Sequence, residues 1–223
     1  METKKIRILL GSGSPRRKQL ISALGFEYRV KQSHTDEIPQ AGLIRGEMAT
    51  SLAEEKALAL ENERLPGEIL LTADTIVCYG DIVLNKPGDE THAMAMLSIL
   101  NGQTHQVYTG VCIFSDSGKN SFSVRSDVTF EKLRQQDLLE YIRNYMPFDK
   151  AGSYGAQECL PPEMNPCSAE EINFLKRNNL SELFNETLVR DHHNVIPLIK
   201  KIDGSYFNVM GLPIIEVWKA VNG

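Results

Sequence analysis

The apolar and polar positions along this chain fall into blocks that separate strands from helices. Ile6–Leu10 is a short apolar run that stops at Gly11-Ser-Gly-Ser14, which predicts a buried strand entering a tight loop. Pro15 then opens a helix. Ser14 stands at its N-cap, Leu20, Ile21 and Leu24 form one apolar face, and Gly25 ends it. Phe26–Val30 reads as a second strand, His34–Gly46 as a polar loop, and Glu47–Glu63 as a helix whose stripe is Met48, Leu52, Ala53 and Ala57, with Lys56 near it. Ile69–Tyr79 is a strong β run interrupted by Thr72-Ala-Asp-Thr75, and Ile82–Leu84 returns as its hairpin partner after the turn Gly80-Asp81. Asp89 or Thr91 caps a helix that runs through Leu100 and stops at Gly102. His105–Phe114 and Ser121–Phe130 alternate as strands about a turn at Ser115–Asn120, and Gln135–Tyr145 is helical.

The character changes near Cys159. Pro161-Pro162 leads into two helical candidates, Ala169–Arg177 and Leu180–Val189, then the polar cluster Arg190–Asn194. The last stretch, Gly204–Val221, holds Gly211-Leu-Pro213 and a final helix carrying Trp218. Strands alternating with helices make this an α/β or α+β chain with a mixed sheet. There is no internal repeat and no low-complexity tract.

Composition narrows the classes. With 223 residues, 42% hydrophobic and 24% charged, the chain suits one globular domain or two small lobes. A net charge of -5 argues against a dedicated nucleic-acid binder, yet leaves room for a nucleotide held by a few local cations. No apolar run reaches membrane-spanning length, and the N-terminal apolar stretch is too short for a signal-peptide core. Cys78, Cys112, Cys159 and Cys167 are scattered and read as structural thiols of a cytoplasmic protein. A homodimer stays open, and neither nucleic acid nor membrane is expected as a partner.

Five places carry candidate chemistry. A strand, a Gly/Ser loop and a helix start aim unpaired N–H groups and a positive helix end at whatever occupies Gly11–Arg17, and Arg16 and Arg17 add forked donors that match phosphate oxygens. The same residues also suit a plain strand-to-helix turn with solvated arginines. The loop matches neither the P-loop nor the dinucleotide fingerprint. Asp74 lies in an apolar strand, where a carboxylate is costly unless paired or bound to metal. It is a satisfied structural group, a bulge, or a metal ligand or general base. Lys86, at the end of the hairpin, either reaches the same place or is merely solvated. Asp36-Glu37 is loop surface or a source of oxygen ligands for Mg²⁺. In Phe148–Gln157, a glycine-bearing connection, the Gln157 amide is able to read a base edge. The five histidines show no metal-ligand spacing, and no nucleophile elbow is present.

Taken in order, these segments resemble the Maf family of nucleoside triphosphate pyrophosphatases. The matching pieces are Ser12-Gly-Ser-Pro-Arg-Arg17 with Leu20, Asp36-Glu37, Ala53-Glu-Glu-Lys-Ala57, Ala73-Asp-Thr-Ile-Val77, Lys86-Pro87, Leu97-Ser-Ile-Leu-Asn-Gly102 with His105 and Val107, Thr109-Gly110, Asp149-Lys-Ala-Gly-Ser-Tyr-Gly155 and Asn208-Val-Met-Gly-Leu-Pro213. They span nearly the whole chain. The resemblance implies an α/β, two-lobed mixed-sheet fold of the Maf/inosine-triphosphate-pyrophosphatase kind with a central cleft, one domain over 1–223. It implies hydrolysis of a nucleoside triphosphate to the monophosphate and pyrophosphate with a divalent metal, Mg²⁺ or Mn²⁺, and a link to septum formation and cell-division arrest. Asp74 matches the family's proton acceptor. Arg16, Thr75 and Gln157 match residues of the branch acting on dTTP and UTP, whereas a branch preferring 7-methyl-GTP tends to carry Asp-Gln in place of Asp74-Thr75 and a glutamate in place of Gln157.

Two departures stand out. Asn85 replaces the glycine usual before Lys86-Pro87, and the segment after Gln157 is several times longer than the family's short connection of about a dozen residues, which marks a helical insertion over about 158–202. The expected site has Ser12, Ser14, Arg16, Arg17, Lys56, Thr75, Lys86 and Gln157 on the substrate, Asp74 as catalytic residue, and Glu37 with Asp74 on the metal. The alternatives are a pyrophosphatase for 7-methyl-GTP or a damaged pyrimidine nucleotide, and a nucleotide-binding regulator of division with little turnover.

Overall fold

The computed structural model describes residues 6–33, 35, 42–180, 183 and 195–223. The described elements run β1 (Arg7–Leu10), α1 (Pro15–Ala23), β2 (Glu27–Val30), α2 (Arg45–Leu60), β3 (Glu68–Tyr79), β4 (Ile82–Leu84), α3 (Glu90–Leu100), β5 (Thr104–Ser115) and β6 (Gly118–Phe130). After them come α4 (Gln135–Tyr145), α5 (Ala169–Arg177), β7 (Ile199–Asp203), α6 (Tyr206–Val209) and α7 (Ile214–Asn222). The strands make a seven-stranded sheet in the order β2-β1-β3-β5-β6-β7, with β4 paired to β3. The chain forms two compact units, and β3, β5 and β6 each contribute a stretch to both.

The first unit holds residues up to Thr75, 109–124 and 211–223. Its centre is β1, flanked in parallel by β2, with Leu10 opposite Val30, and by β3, with Leu10 opposite Leu71. Ile8, Leu9 and Leu10 are fully buried, as expected of a parallel strand covered on both faces. The chain leaves β1 through α1 to reach β2, then passes back through α2 to β3 on the other side. That reversal makes the C-terminal end of β1 a topological switch point, where open α/β sheets leave a crevice. Successive strand residues point to opposite faces. Thr72 donates to the Ala53 carbonyl of α2 (2.6 Å) and Asp74 pairs with Lys56 of α2, whereas Thr75 meets Arg17 of α1. The two helices therefore cover opposite faces of β3.

Polar partners also explain why β3 is one unbroken strand from Glu68 to Tyr79, where the sequence suggested an interruption at Thr72–Thr75. Each polar side chain in that stretch is bonded, so the ladder has no reason to break. The α2 helix lies directly on β5: a Cβ at Gly110 would come within 2.1 Å of the Ala49 carbonyl carbon. It starts at Arg45, slightly earlier than the apolar stripe suggested.

The second unit holds 76–108 and 125–210. In it β4 folds back on β3 through Gly80 at φ 59, and α3 is capped by the Asp89 carboxylate, which accepts from the His92 N–H (2.7 Å). His105, Phe130 and Tyr154 form a buried edge-to-face ring cluster. The β7 strand, absent from the sequence reading, pairs antiparallel with β6. The helical candidate Ala169–Arg177 is α5. The candidate Leu180–Val189, apart from Leu180 and Leu183, and the cluster Arg190–Asn194 lie outside the described residues. Among the described residues no helix is long and apolar enough to cross a membrane.

Candidate functional site

The loop after β1 lies at the switch point of the first unit. The Gly11 N–H donates to the Leu71 carbonyl (2.8 Å), carrying the β1–β3 ladder one residue further. A Cβ on Gly11 would sit 2.5 Å from Thr72 Cγ2, so only glycine lets the chain pass so close to β3. Ser12 is buried, and its Oγ accepts from the Ser14 N–H and from Arg17 Nη1, each at 3.2 Å. Ser12 thus braces the loop. Ser14 occupies the N-cap of α1 without a capping bond from its side chain, Pro15 opens the helix, and no acidic residue stands in the first turn. The orphan amides and positive end of α1 face the loop.

The two arginines diverge. Arg16 is half-buried, with no hydrogen bond or ion pair to any described residue. Arg17 spreads its fork over the protein itself: Nε donates to the Gly211 carbonyl (2.7 Å), Nη1 to Ser12, and Nη2 to Thr75 Oγ1 (3.0 Å). Thr75 Oγ1 also lies 2.9 Å from Thr109 Oγ1. The Thr109–Gly211 contribution was not singled out as part of the site from sequence. Its one local sign is Thr109-Gly110 within an apolar run.

Asp74 and Lys56, 7% and 8% exposed, form a buried ion pair in which Lys56 Nζ donates to Asp74 Oδ1. The pair resolves how an apolar strand tolerates a carboxylate. It also cancels the negative charge that would otherwise repel a phosphate. Asp74 Oδ2 takes no hydrogen bond from the described residues, so one hard oxygen is left to act as base or metal ligand. Glu37, the other expected ligand, lies outside the described residues, as does Asp36. Among the described residues no group of three or more His, Cys, Asp or Glu side chains is able to hold a metal.

Lys86 and Gln157 belong to the second unit. Lys86 is exposed just after β4, and the carbonyl of the preceding Asn85 accepts from the Gly152 N–H (3.3 Å). Asn85 is not among the positive-φ residues, so asparagine replaces glycine there without backbone strain. Gly152, at φ 69, packs so that a Cβ would lie 3.0 Å from Val77, which fixes the 149–155 loop on the hairpin. Gln157 is half-buried, and its Oε1 is an enclosed acceptor with no partner in this structure. Beside it runs a chain the sequence reading missed: buried Lys150 bonds Asp149 (2.9 Å) and Glu158 (3.3 Å), and Glu158 accepts from Tyr141 OH (3.1 Å). Tyr141 OH in turn accepts from the Gly155 N–H (3.0 Å). Burial first, then the nearby Cys159 and Glu158, pushes the Tyr141 phenol well above its usual range, so it stays a neutral donor.

The parallel core with a glycine-lined loop at its switch point defines an α/β protein with a candidate anion site. A family model described as Maf-like protein matches residues 7–161, and the chain belongs to the Maf family. A dTTP/UTP pyrophosphatase of Phocaeicola vulgatus is 39% identical over 212 residues, which cover 95% of this chain and 92% of that protein. Another dTTP/UTP pyrophosphatase, of Bacteroides thetaiotaomicron, is 37% identical over 215 residues, covering 96% and 94%. A solved nucleoside-triphosphatase / dITP/XTP pyrophosphatase of Mycobacterium abscessus aligns over 56% of this chain and 74% of its own at 14% identity and a TM-score of 0.34, a likeness too slight to bear on the fold.

Proposed function

We propose that this chain is a dTTP/UTP pyrophosphatase, a hydrolase that cleaves the nucleotide between its α and β phosphates to release the monophosphate and pyrophosphate. The observation that carries the reading is the near full-length similarity to curated enzymes of that name, 39% identical over 95% of the chain. The geometry of the first unit supports it: a loop suited to phosphate follows β1, and on the neighbouring β3 a buried carboxylate has a second oxygen that takes no hydrogen bond from the described residues.

In this reading the triphosphate lies along Ser12–Arg17. The α1 amides and Arg16 take its oxygens, while Lys56 offsets the negative charge of Asp74. Asp74 accepts the proton of a water that attacks the α-phosphorus. The new P–O bond forms as the bridging bond to the β-phosphate breaks, and the electron pair leaves with pyrophosphate. Lys56 holds the Asp74 carboxylate in position while Oδ2 faces the water. A Mg²⁺ or Mn²⁺, when bound, would be held by Asp74 and Glu37 and would supply charge neutralisation. Thr75 meets the base. All four cysteines are free, which suits a reducing interior, and we assign the enzyme to the cytoplasm.

A panel of dTTP, UTP, CTP, GTP and 7-methyl-GTP, with and without Mg²⁺ or Mn²⁺ and with pyrophosphate release as readout, tests the proposal. The expected result is metal-dependent turnover of dTTP and UTP, reduced about 10²–10⁴-fold by Asp74→Asn. Faster turnover of 7-methyl-GTP than of dTTP and UTP, or full activity in Asp74→Asn, would overturn the substrate or the catalytic assignment respectively.

A further inference from the structure

Thr75 is held by more groups than a passive lining residue needs. Its hydroxyl accepts from Arg17 Nη2 (3.0 Å) and shares a hydrogen with Thr109 Oγ1 (2.9 Å). Around them Arg17 is anchored on Ser12 Oγ (3.2 Å) and on the Gly211 carbonyl (2.7 Å). Gly211 sits at φ 106, and a Cβ there would approach Thr75 Oγ1 to 3.3 Å. Thr109 is fully buried, whereas Thr75 is half-buried and faces solvent in part.

We propose that Arg17 and Thr109 are positioning residues that lock the Thr75 hydroxyl into one hydrogen-bonding polarity, and that this lock selects the pyrimidine base. The inference rests on the reading that Thr75 meets the base. A hydroxyl has one proton and two lone pairs. A guanidinium never gives up its charge in the working range, so Arg17 always occupies one lone pair. Thr109 takes either the proton or the second lone pair. In both cases a single feature is left pointing outward, and with Thr109 as the donor that feature is the Thr75 proton. Uracil and thymine present a carbonyl acceptor at position 4, where cytosine presents an amino donor. The ring nitrogen at position 3 is likewise inverted between them. A hydroxyl of fixed polarity therefore accepts one set and opposes the other, and a hydroxyl released from Thr109 rotates to serve both.

The experiment measures kcat/KM for UTP and CTP in wild type, Thr109→Val and Thr109→Ser. Valine keeps the branched shape and deletes the hydroxyl, while serine keeps the hydroxyl. The expected result is that Thr109→Val lowers the UTP:CTP ratio about tenfold, the worth of one hydrogen bond, mainly by improving CTP. Thr109→Ser holds the ratio within about twofold. Thr109→Cys, with only a weak S–H, replaces the valine variant should that one fail to fold. An unchanged ratio in Thr109→Val, or an equal loss in Thr109→Val and Thr109→Ser, overturns the inference and leaves the activity standing. A wild-type protein that hydrolyses neither UTP nor dTTP sinks the functional reading and this inference with it.

Discussion

Asp74 is 7% exposed on a strand whose neighbours are apolar, and Lys56 is the residue that makes this affordable in the folded state. Removing one member of a buried pair leaves the other charge without compensation, which costs about 3–5 kcal/mol. Lys56→Met should therefore lower the unfolding free energy by about that amount. Adding Asp74→Asn should restore much of it, because the orphaned charge is then gone. Urea unfolding of both variants at neutral pH checks this, and a Lys56→Met protein as stable as wild type would show that the pair does not hold the strand. At this scale the sequence was informative where a residue type conflicts with its surroundings. A carboxylate in an apolar run and glycines before a basic helix start are such conflicts, and both singled out the candidate site. What was not legible is who bonds whom. Arg17 looks like a second phosphate ligand in the sequence, but its partners Thr75 and Gly211 are 58 and 194 residues away and leave no local trace.

Secondary elements were legible to the extent that their own residues specify them. The α5 helix carries its start signal in Ser168 and Glu171, and its bounds follow the sequence reading. The β7 strand escaped notice because Ile199-Lys-Lys-Ile-Asp203 is short and exposes both lysines, a pattern suited to an edge strand but weak as a strand signal. Glu171 does more than cap its own helix. It is 1% exposed, and its carboxylate accepts from Ser168 N, Ser205 Oγ, Tyr206 N and Phe207 N. The last two amides belong to the first turn of α6, so one buried carboxylate fastens α5 to the start of α6. Glu171→Ala leaves buried donors unsatisfied and should cost about 3–5 kcal/mol in urea unfolding. A loss under about 1 kcal/mol would mean that water replaces the carboxylate without penalty. Gly110 plays a comparable part in the first unit. The 2.1 Å separation that a Cβ would have from the Ala49 carbonyl carbon is far inside contact distance. Gly110→Ala should push α2, and Lys56 with it, away from β3, and lose about 1–3 kcal/mol or more.

For the whole molecule, acid stability reports on a residue that the chemistry does not use. His105 is fully buried in the ring cluster, with Nε2 2.8 Å from Tyr154 OH and Nδ1 unpartnered. Burial holds its pKa down to about 3 against an ordinary 6.5, the nearby Asp127 opposing the shift only in part. The unfolded chain therefore binds a proton below pH 6.5 that the folded chain refuses until about pH 3. Stability then falls as pH falls through that window, by at most about 1.4 kcal/mol per unit. Glu68, lowered chiefly by its bond to Arg29, and Asp137, lowered chiefly by Arg134, act in the same direction, because a depressed carboxylate loses its contribution as it is protonated. Their ordinary values of 4.5 and 3.8 place that loss lower on the pH scale. Of these groups, His105 alone acts between 6.5 and 4.5, where its share amounts to roughly 2–3 kcal/mol. Urea unfolding at pH 6.5, 5.5 and 4.5 should show this decline in the wild-type protein and a flatter line in His105→Gln, whose side chain still reaches Tyr154 but takes up no proton. Parallel lines for the two proteins would mean that His105 is already protonated in the folded state and that its ring cluster carries the charge without penalty.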